Sequence, residues 1–383
     1  MSTTPRADLA ARAAAVLRAN DLGGWTKAAP RLYPHQWSWD SAFIAIGLAH
    51  LDPRRALREL ETLFAAQWGN GMVPHIVFNP DVAAGSYFPD AERWASADAA
   101  ASAPRSPATS GICQPPVHAI ALRRIWHVTE RADEPTKSDV RDGLRALYPR
   151  LVAWHRYLWL VELLKRSGYD DAAAAAPGSD YPFRVKDVLF SAILVAANDA
   201  LLALADLAGA SDDDRREIET WRDRGRRGLV GQWHRDLRLC LDQDLRTGSP
   251  LVTRTVAGFA PLVAGGMDDA RRAALLASLD SPAFLGHQDL RWPLPPSTSP
   301  DDPGFRPRSY WRGPVWPFLT WLLWWALARD GERDRAARLR RAALDQLAAI
   351  DFAEYVEPFT GELLGSLAQS WTAAVTLDWL AAD

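Results

Sequence analysis

One pattern governs what this chain can become: apolar residues keep returning at three- and four-residue steps along its 383 residues. After Asp52, an N-cap type, and Pro53, which suits the first helical position, Leu57, Leu60, Leu63 and Phe64 fall on one helix face. Leu144, Leu147, Leu151, Trp154, Leu158 and Val161 keep the same step, and Pro149 is expected to kink or split that helix. Further helices are predicted at about 5–20, 39–50, 112–129, 185–208, 212–240, 269–279, 314–329, 332–350 and 370–381, eleven or twelve in all. Strand alternation is scarce; MVPHIVF (72–78) is the best case. No linker divides the chain and no fixed-period repeat is evident, so one domain over 1–383 is expected. Irregular insertions stand at about 79–111 and 291–309; loops that long in a compact domain are usually functional or disordered. A dozen short-looped helices in one domain suggest an all-α architecture, either a solenoid or a closed toroid of helix hairpins. In a toroid the funnel is lined by loops and helix N-termini at one end, so polar residues before helices become candidates for chemistry.

Composition removes several function classes. A net charge of -3 without a Lys/Arg run gives no nucleic-acid footprint. Cys113 and Cys240 belong to no CxxC, which argues against a disulfide scaffold or a zinc site. The eight histidines do not cluster at ligand spacing, so no metal is expected, and His35 and His75 are read as buried, satisfied side chains. The start of the chain, with Arg6, Asp8, Arg12 and Arg18 among apolar positions, reads as an amphipathic helix rather than a signal peptide. The apolar run 314–328 is too short for a bilayer span, and a cytoplasmic location is the default expectation. The 18 tryptophans are the outlier. Trp suits walls that stack flat apolar faces while its N–H makes a hydrogen bond.

Several short segments gather aromatics, carboxylates and amides at predicted helix ends: LYPHQWSWDS (32–41), NGMVPHIVFNP (70–80), TSGICQPP (109–116), SYWRGPVWP (309–317) and DFAEYVEPFTGELLGSLAQSWTAA (351–374). SGYDD (167–171) ends the long helix. Trp321, Trp324 and Trp325 follow helical spacing and are read as core, whereas Tyr310, Trp311 and Arg312 precede the helix beside Gly313 and Pro314 and suit a pocket wall. Trp37 and Trp39 suit the facing wall. Asp40, just before an apolar helix, is read first as an N-cap.

YPHQWSWDSAFIAIGLAHLDP, NGMVPHIVFNP, TSGICQPP, YWRGPVW, AEYVEPFTGE and SWTAA together resemble the signature segments of glycoside hydrolase family 63, nearest its bacterial mannosylglycerate and glucosylglycerate hydrolases. They run in order from about residue 30 to 380. The resemblance implies an (α/α)6 barrel and inverting hydrolysis of an α-linked sugar without a cofactor. That chemistry needs one protonated and one ionised carboxyl group, roughly 6.5–9.5 Å apart so that a water fits between them. It implies Asp170 as general acid, with Asp171 as its neighbour and fallback, and Glu354 as general base, leaving Glu357 and Glu362 solvated. It further implies Asp40 as a sugar-hydroxyl acceptor, Tyr310 and Trp311 close to the substrate, and Tyr87, Gln114 and Gln369 as glycerate contacts. Arg184, in YPFRVKD, matches the family's Arg and is the expected carboxylate receptor. Tyr33 and Gln36 are expected to line the same pocket. The expected partner is a small anionic sugar, not nucleic acid or membrane; a homo-oligomer is left open.

The chain departs from the family after the acid. The family's Ser-Pro-Arg-Trp-Asp is replaced by AAAAAPGSDYPF (172–183), which bears on sugar identity and on activity. The alternatives are an α-glucosidase or trehalase-like enzyme on neutral sugars and a non-catalytic sugar-binding relative. An epimerase on the same barrel lacks an evident histidine pair here. SDDDR (211–215) reads as charge at a helix start rather than a cyclase motif. The insertions 79–111 and 291–309 are expected to close over the substrate.

Overall fold

The chain enters helix where its capping residues dictate. The Asp52 side chain accepts from the Arg54 N–H at 2.9 Å, Asp187 from Phe190 at 2.6 Å and Ser211 from Asp214 at 3.1 Å. The structure is a computed structural model and describes residues 5–83, 85–160 and 185–382.

Among the described residues, eleven helices of eleven or more residues carry the architecture. They are α1 (Pro5–Asn20), α2 (Ser38–Leu48), α3 (Pro53–Ala65), α4 (His118–Thr129), α5 (Glu134–Leu160) and α6 (Val188–Ala208). They continue with α7 (Asp212–Val230), α8 (Asp269–Asp280), α9 (Pro317–Arg329), α10 (Arg333–Ala349) and α11 (Ser370–Ala381). Contacts run from α11 to α2, α4, α6, the short helix Pro261–Ala264, α9 and back to α11. Helices α1, α3, α5, α7 and α10 pack against members of that closed circuit. Its interior is apolar: Phe43, Trp154, Trp316, Phe318, Trp321 and Trp379 are each at most 1% exposed. At the α2–α11 contact a Cβ on Gly47 would lie 2.3 Å from the Ala374 Cα, so only glycine allows that approach. Helix α6 contains an 18-residue window of mean hydropathy 2.1, long and apolar enough to cross a membrane. Here 72% of that window is buried in the fold.

Among the described residues strands are few and short, and all pair antiparallel in twos: β1 (Gln36–Trp37) with β2 (Ile76–Val77), β3 (Val185–Lys186) with β6 (Gln243–Asp244), β4 (Trp233–His234) with β5 (Leu239–Cys240), and β7 (Ala353–Val356) with β8 (Leu363–Leu367).

Four expectations change. Helix α4 starts at His118 rather than near residue 112, because Pro115 and Pro116 precede it. Helix α7 ends at Val230, and the β4–β5 hairpin follows where helix was predicted to 240. Helix α5 continues through Pro149, so the proline does not split it. Burial of Leu144, Leu147, Leu151 and Trp154 offsets a proline cost of about 3 kcal/mol. The segment 351–374 was expected at a helix end, yet most of it forms the β7–β8 hairpin before α11 begins.

Candidate active site

The N-terminal ends of α2, α9 and α11 and the hairpins beside them bring the chemistry-bearing residues together. Helix α2 follows β1 directly and so buries Asp40 in its first turn. Burial first, and the Glu354 charge second, hold the Asp40 carboxyl well above the usual carboxylate range. Sequence reading makes Asp40 an N-cap, but Trp37 occupies that position and Asp40 lies inside the helix.

Glu354, on β7, is 2% exposed. Its Oε1 accepts from the Tyr33 hydroxyl at 2.9 Å and its Oε2 from the Ser366 N–H at 3.0 Å. Burial raises its pKa, while donors from Ser366, Tyr33 and Tyr310 pull against that rise. Burial, then the Glu354 charge, push the Tyr33 and Tyr310 phenols far above their ordinary value, which keeps both protonated as donors. Two buried carboxyl groups from opposite ends of the sequence therefore lie within electrostatic reach of each other. One has its acceptor positions ordered by donors, an arrangement able to hold and orient a water molecule.

Aromatic rings cluster around these carboxyl groups. Trp311 stacks on Trp316 with centroids 3.9 Å apart and planes 10° from parallel, and Tyr355 stacks on the other ring at 4.6 Å. Tyr310 meets Trp316 edge-on at 5.1 Å and is held at a φ of 24°, in the left-handed region. Trp39 packs on Phe318 at 4.7 Å and Trp371 at 5.9 Å, and approaches Trp311 at 6.4 Å. Trp37 lies edge-on to Tyr33 at 5.3 Å and to His75 at 5.0 Å. Its indole N–H is buried without a protein partner. Trp321 and Trp324 are buried and Trp325 partly so, in keeping with their reading as core.

The amides divide. Gln369 is fully buried; its Oε1 accepts from the Ser366 hydroxyl at 2.7 Å and its Nε2 has no protein partner. Gln114 accepts from the Trp39 N–H at 3.2 Å. The Gln36 amide nitrogen donates to Ser41 Oγ and to the Glu59 carbonyl, both at 3.1 Å, while its Oε1 is buried without a protein partner. Those bonds join it to a buried network in which Glu59 is held by Arg55, Ser41 and Thr26. Tyr87 meets His35 edge-on at 4.6 Å and borders a cavity of about 400 Å³ with Phe78, Asn79, Asp90 and Pro107. Arg312 is exposed. Glu357 is a correction: it is buried and accepts from Thr360 Oγ1 at 2.6 Å and the Phe359 N–H at 2.9 Å, closing the β7–β8 turn. His35 is buried and accepts from the Asn79 N–H, but its Nε2 lacks a protein partner, so it is only half satisfied. His75 is bonded to Ser110 at 2.6 Å. Asp170, Asp171 and Arg184 lie outside the described residues. Gly365 and Ser366 went unread in the sequence; a lone Gly inside a short strand was the available signal.

Comparison with known proteins places this geometry in company. Residues 33–168 and 159–372 match the family described as the mannosylglycerate hydrolase MGH1-like glycoside hydrolase domain. The chain is 42% identical to a glucosylglycerate hydrolase of Mycolicibacterium hassiacum, over 99% of each chain. It is 36% identical to a mannosylglycerate hydrolase of Rubrobacter radiotolerans, over 97% of this chain and 96% of the relative. A crystal structure of the family 63 mannosylglycerate hydrolase of Thermus thermophilus, in complex with Tris and D-glycerate, superposes with a TM-score of 0.83. That pair shares 33% identity and covers 97% of this chain and 99% of the other.

Proposed function

Because the chain belongs to the mannosylglycerate hydrolase MGH1-like branch of glycoside hydrolase family 63, we propose that it hydrolyses an α-linked glycoside of glycerate, glucosylglycerate or mannosylglycerate, with inversion. It is a glycoside hydrolase by that membership. The proposal fits a single domain in which the closed helix circuit is an (α/α)6 barrel, with the sugar entering at the N-terminal ends of its inner helices.

In this reading Glu354 is the general base and Asp170 the general acid. Glu354 takes a proton from a water as that water attacks the anomeric carbon from the face opposite the leaving group. Asp170 gives its proton to the glycosidic oxygen, so glycerate departs neutral at that oxygen and the sugar inverts. Asp40 accepts from sugar hydroxyls, and Tyr310, Trp311, Trp39 and Trp37 wall the ring. Arg184, Tyr87, Gln114 and Gln369 receive glycerate, the guanidinium pairing with its carboxylate. The reaction asks for two carboxyl groups and a water, and for no cofactor.

One observation carries this reading. A buried carboxylate, held through both oxygens by Tyr33 and Ser366, lies within electrostatic reach of a second buried carboxyl, among clustered aromatics. The test is hydrolysis of α-glucosylglycerate, α-mannosylglycerate and trehalose, with proton NMR of the first anomer released. Wild type is expected to cleave a glycerate glycoside and release the β-anomer. Glu354→Gln and Asp170→Asn are each expected to lose about 10²–10⁴-fold in kcat. Release of the α-anomer, or cleavage of trehalose alone, overturns the reading.

A further inference from the structure

The β7–β8 hairpin does not pair in even register. Ala353 lies opposite Leu367 and Tyr355 opposite Leu364, so Gly365 and Ser366 together face the single residue Glu354. That is a β-bulge, and Gly365 takes a φ of 72° within it. The extra residue turns the Ser366 N–H onto Glu354 Oε2 at 3.0 Å. A Cβ on Gly365 would lie 2.5 Å from that same oxygen, 2.8 Å from Glu354 Cβ and 2.5 Å from Tyr355 Cε1. No side chain fits between this backbone and the carboxylate. The Ser366 hydroxyl donates to Gln369 Oε1 at 2.7 Å, tying the bulge to the residue that precedes α11.

We propose that the Gly365–Ser366 bulge is the positioning device of the general base: Gly365 leaves the space that the Glu354 carboxylate occupies, and Ser366 fixes its orientation and ties it to Gln369. The inference rests on the reading of Glu354 as base. Neither residue touches the reacting atoms; both act through Glu354. The groups that face Glu354 from the packed elements are Tyr33 before β1, Asp40 on α2, Tyr310 before α9 and its neighbour Tyr355. Ser366 is unlike these because it reaches the carboxylate through a backbone N–H, which no side-chain substitution removes. Its hydroxyl acts at one remove, because the bond to Gln369 holds the bulge that aims that N–H.

The test measures kcat, KM and the pH dependence of kcat/KM on a hydrolysed glycerate glycoside for Gly365→Ala, Ser366→Ala, Ser366→Thr and Glu354→Gln. Gly365→Ala is expected to lose about 10²-fold in kcat, the effect of a misplacement near 1 Å, with KM within about threefold of wild type. Ser366→Ala cuts the bond to Gln369 that holds the bulge, so the Ser366 N–H turns off the carboxylate and the ionised base loses support. Its acidic limb is expected to move up by about one pH unit, and Ser366→Thr to move it back. A merely structural role would lower the melting temperature without moving that limb. If Gly365→Ala does not fold, the Ser366 pair decides. Wild-type kcat in Gly365→Ala, or an unmoved limb in Ser366→Ala, overturns the inference while loss of activity in Glu354→Gln keeps the base. Activity retained in Glu354→Gln removes the base assignment and this inference with it.

Discussion

Tyr33 shows how much a single phenol is asked to do. Its hydroxyl donates to Glu354 at 2.9 Å from inside a half-buried site, and its own proton is held on by burial and by the Glu354 charge. Tyr33→Phe keeps the ring against Trp37 and deletes the donor. With Glu354 as base the sign is fixed: losing a donor to the ionised form raises its pKa, so the acidic limb of kcat/KM shifts upward. At neutral pH kcat falls about tenfold, the worth of one hydrogen bond to a charged group. A profile superimposable on wild type would show that the phenol does not tune this carboxylate. Asp378 makes the contrasting case, a buried carboxylate serving stability. Burial raises its pKa, but His50 at 2.8 Å and Arg124 at 2.9 Å outweigh that and leave it lowered. The Trp321 indole N–H also donates to it at 2.9 Å. Asp378→Ala strands a part-buried guanidinium and a buried indole N–H, and urea titration is expected to show a loss of about 1.5–3 kcal/mol. At this scale the sequence was partly legible. Aromatics and carboxylates announced themselves by type, but the bonding of Gln36 depends on Glu59, 23 residues away and with no local mark.

Among the elements, the helices were the easiest to read, because a buried face repeats its period many times. Their ends were less legible where prolines or a hairpin intervene, as before His118 and after Val230. The β7–β8 hairpin was missed because its strands are four and five residues long, too few for alternation to register, and its bulge breaks what alternation remains. The α2–α11 contact gives an element-scale prediction. Gly47→Ala forces a methyl against the Ala374 backbone, so the helices must separate. The expected cost is about 1–3 kcal/mol, read as a lowered melting temperature. Because Asp40 and Gln369 stand at the starts of those helices, KM for the glycoside is expected to rise as well. An unchanged melting temperature would show that the contact is looser than this geometry.

The whole molecule carries a pH sensitivity that its net charge hides. His118 and His155 are buried, bonded to Ser38 and Asn198, with pKa values pushed down to about 3 and about 4, chiefly by burial. A histidine lowered in the fold takes up its proton more readily when unfolded. Stability is therefore fully present above the unfolded pKa of about 6.5 and declines as pH falls below it. Each group contributes a slope of about 1.4 kcal/mol per pH unit in that window. Denaturation midpoints between pH 6.5 and 5 are expected to fall, and less steeply in His155→Gln; parallel curves would argue against it. The helix-rich class was legible from the helix count, which left an open solenoid as well as a closed toroid; closure was implied only by the family resemblance. What separates this chain from its relatives was only hinted at: the alignment with the glucosylglycerate hydrolase spans 446 positions against 383 residues here. The altered segment after Asp170 is where the sequence departs most visibly from the family pattern. The stacked pair Trp311 and Trp316, 3.9 Å apart, has a further use. Indoles face to face couple their strong short-wavelength transitions, so this pair is expected to contribute an exciton feature to far-ultraviolet circular dichroism. If Tyr310 borders the sugar as proposed, binding is expected to change that feature, a label-free optical report of occupancy built from the protein's own chromophores.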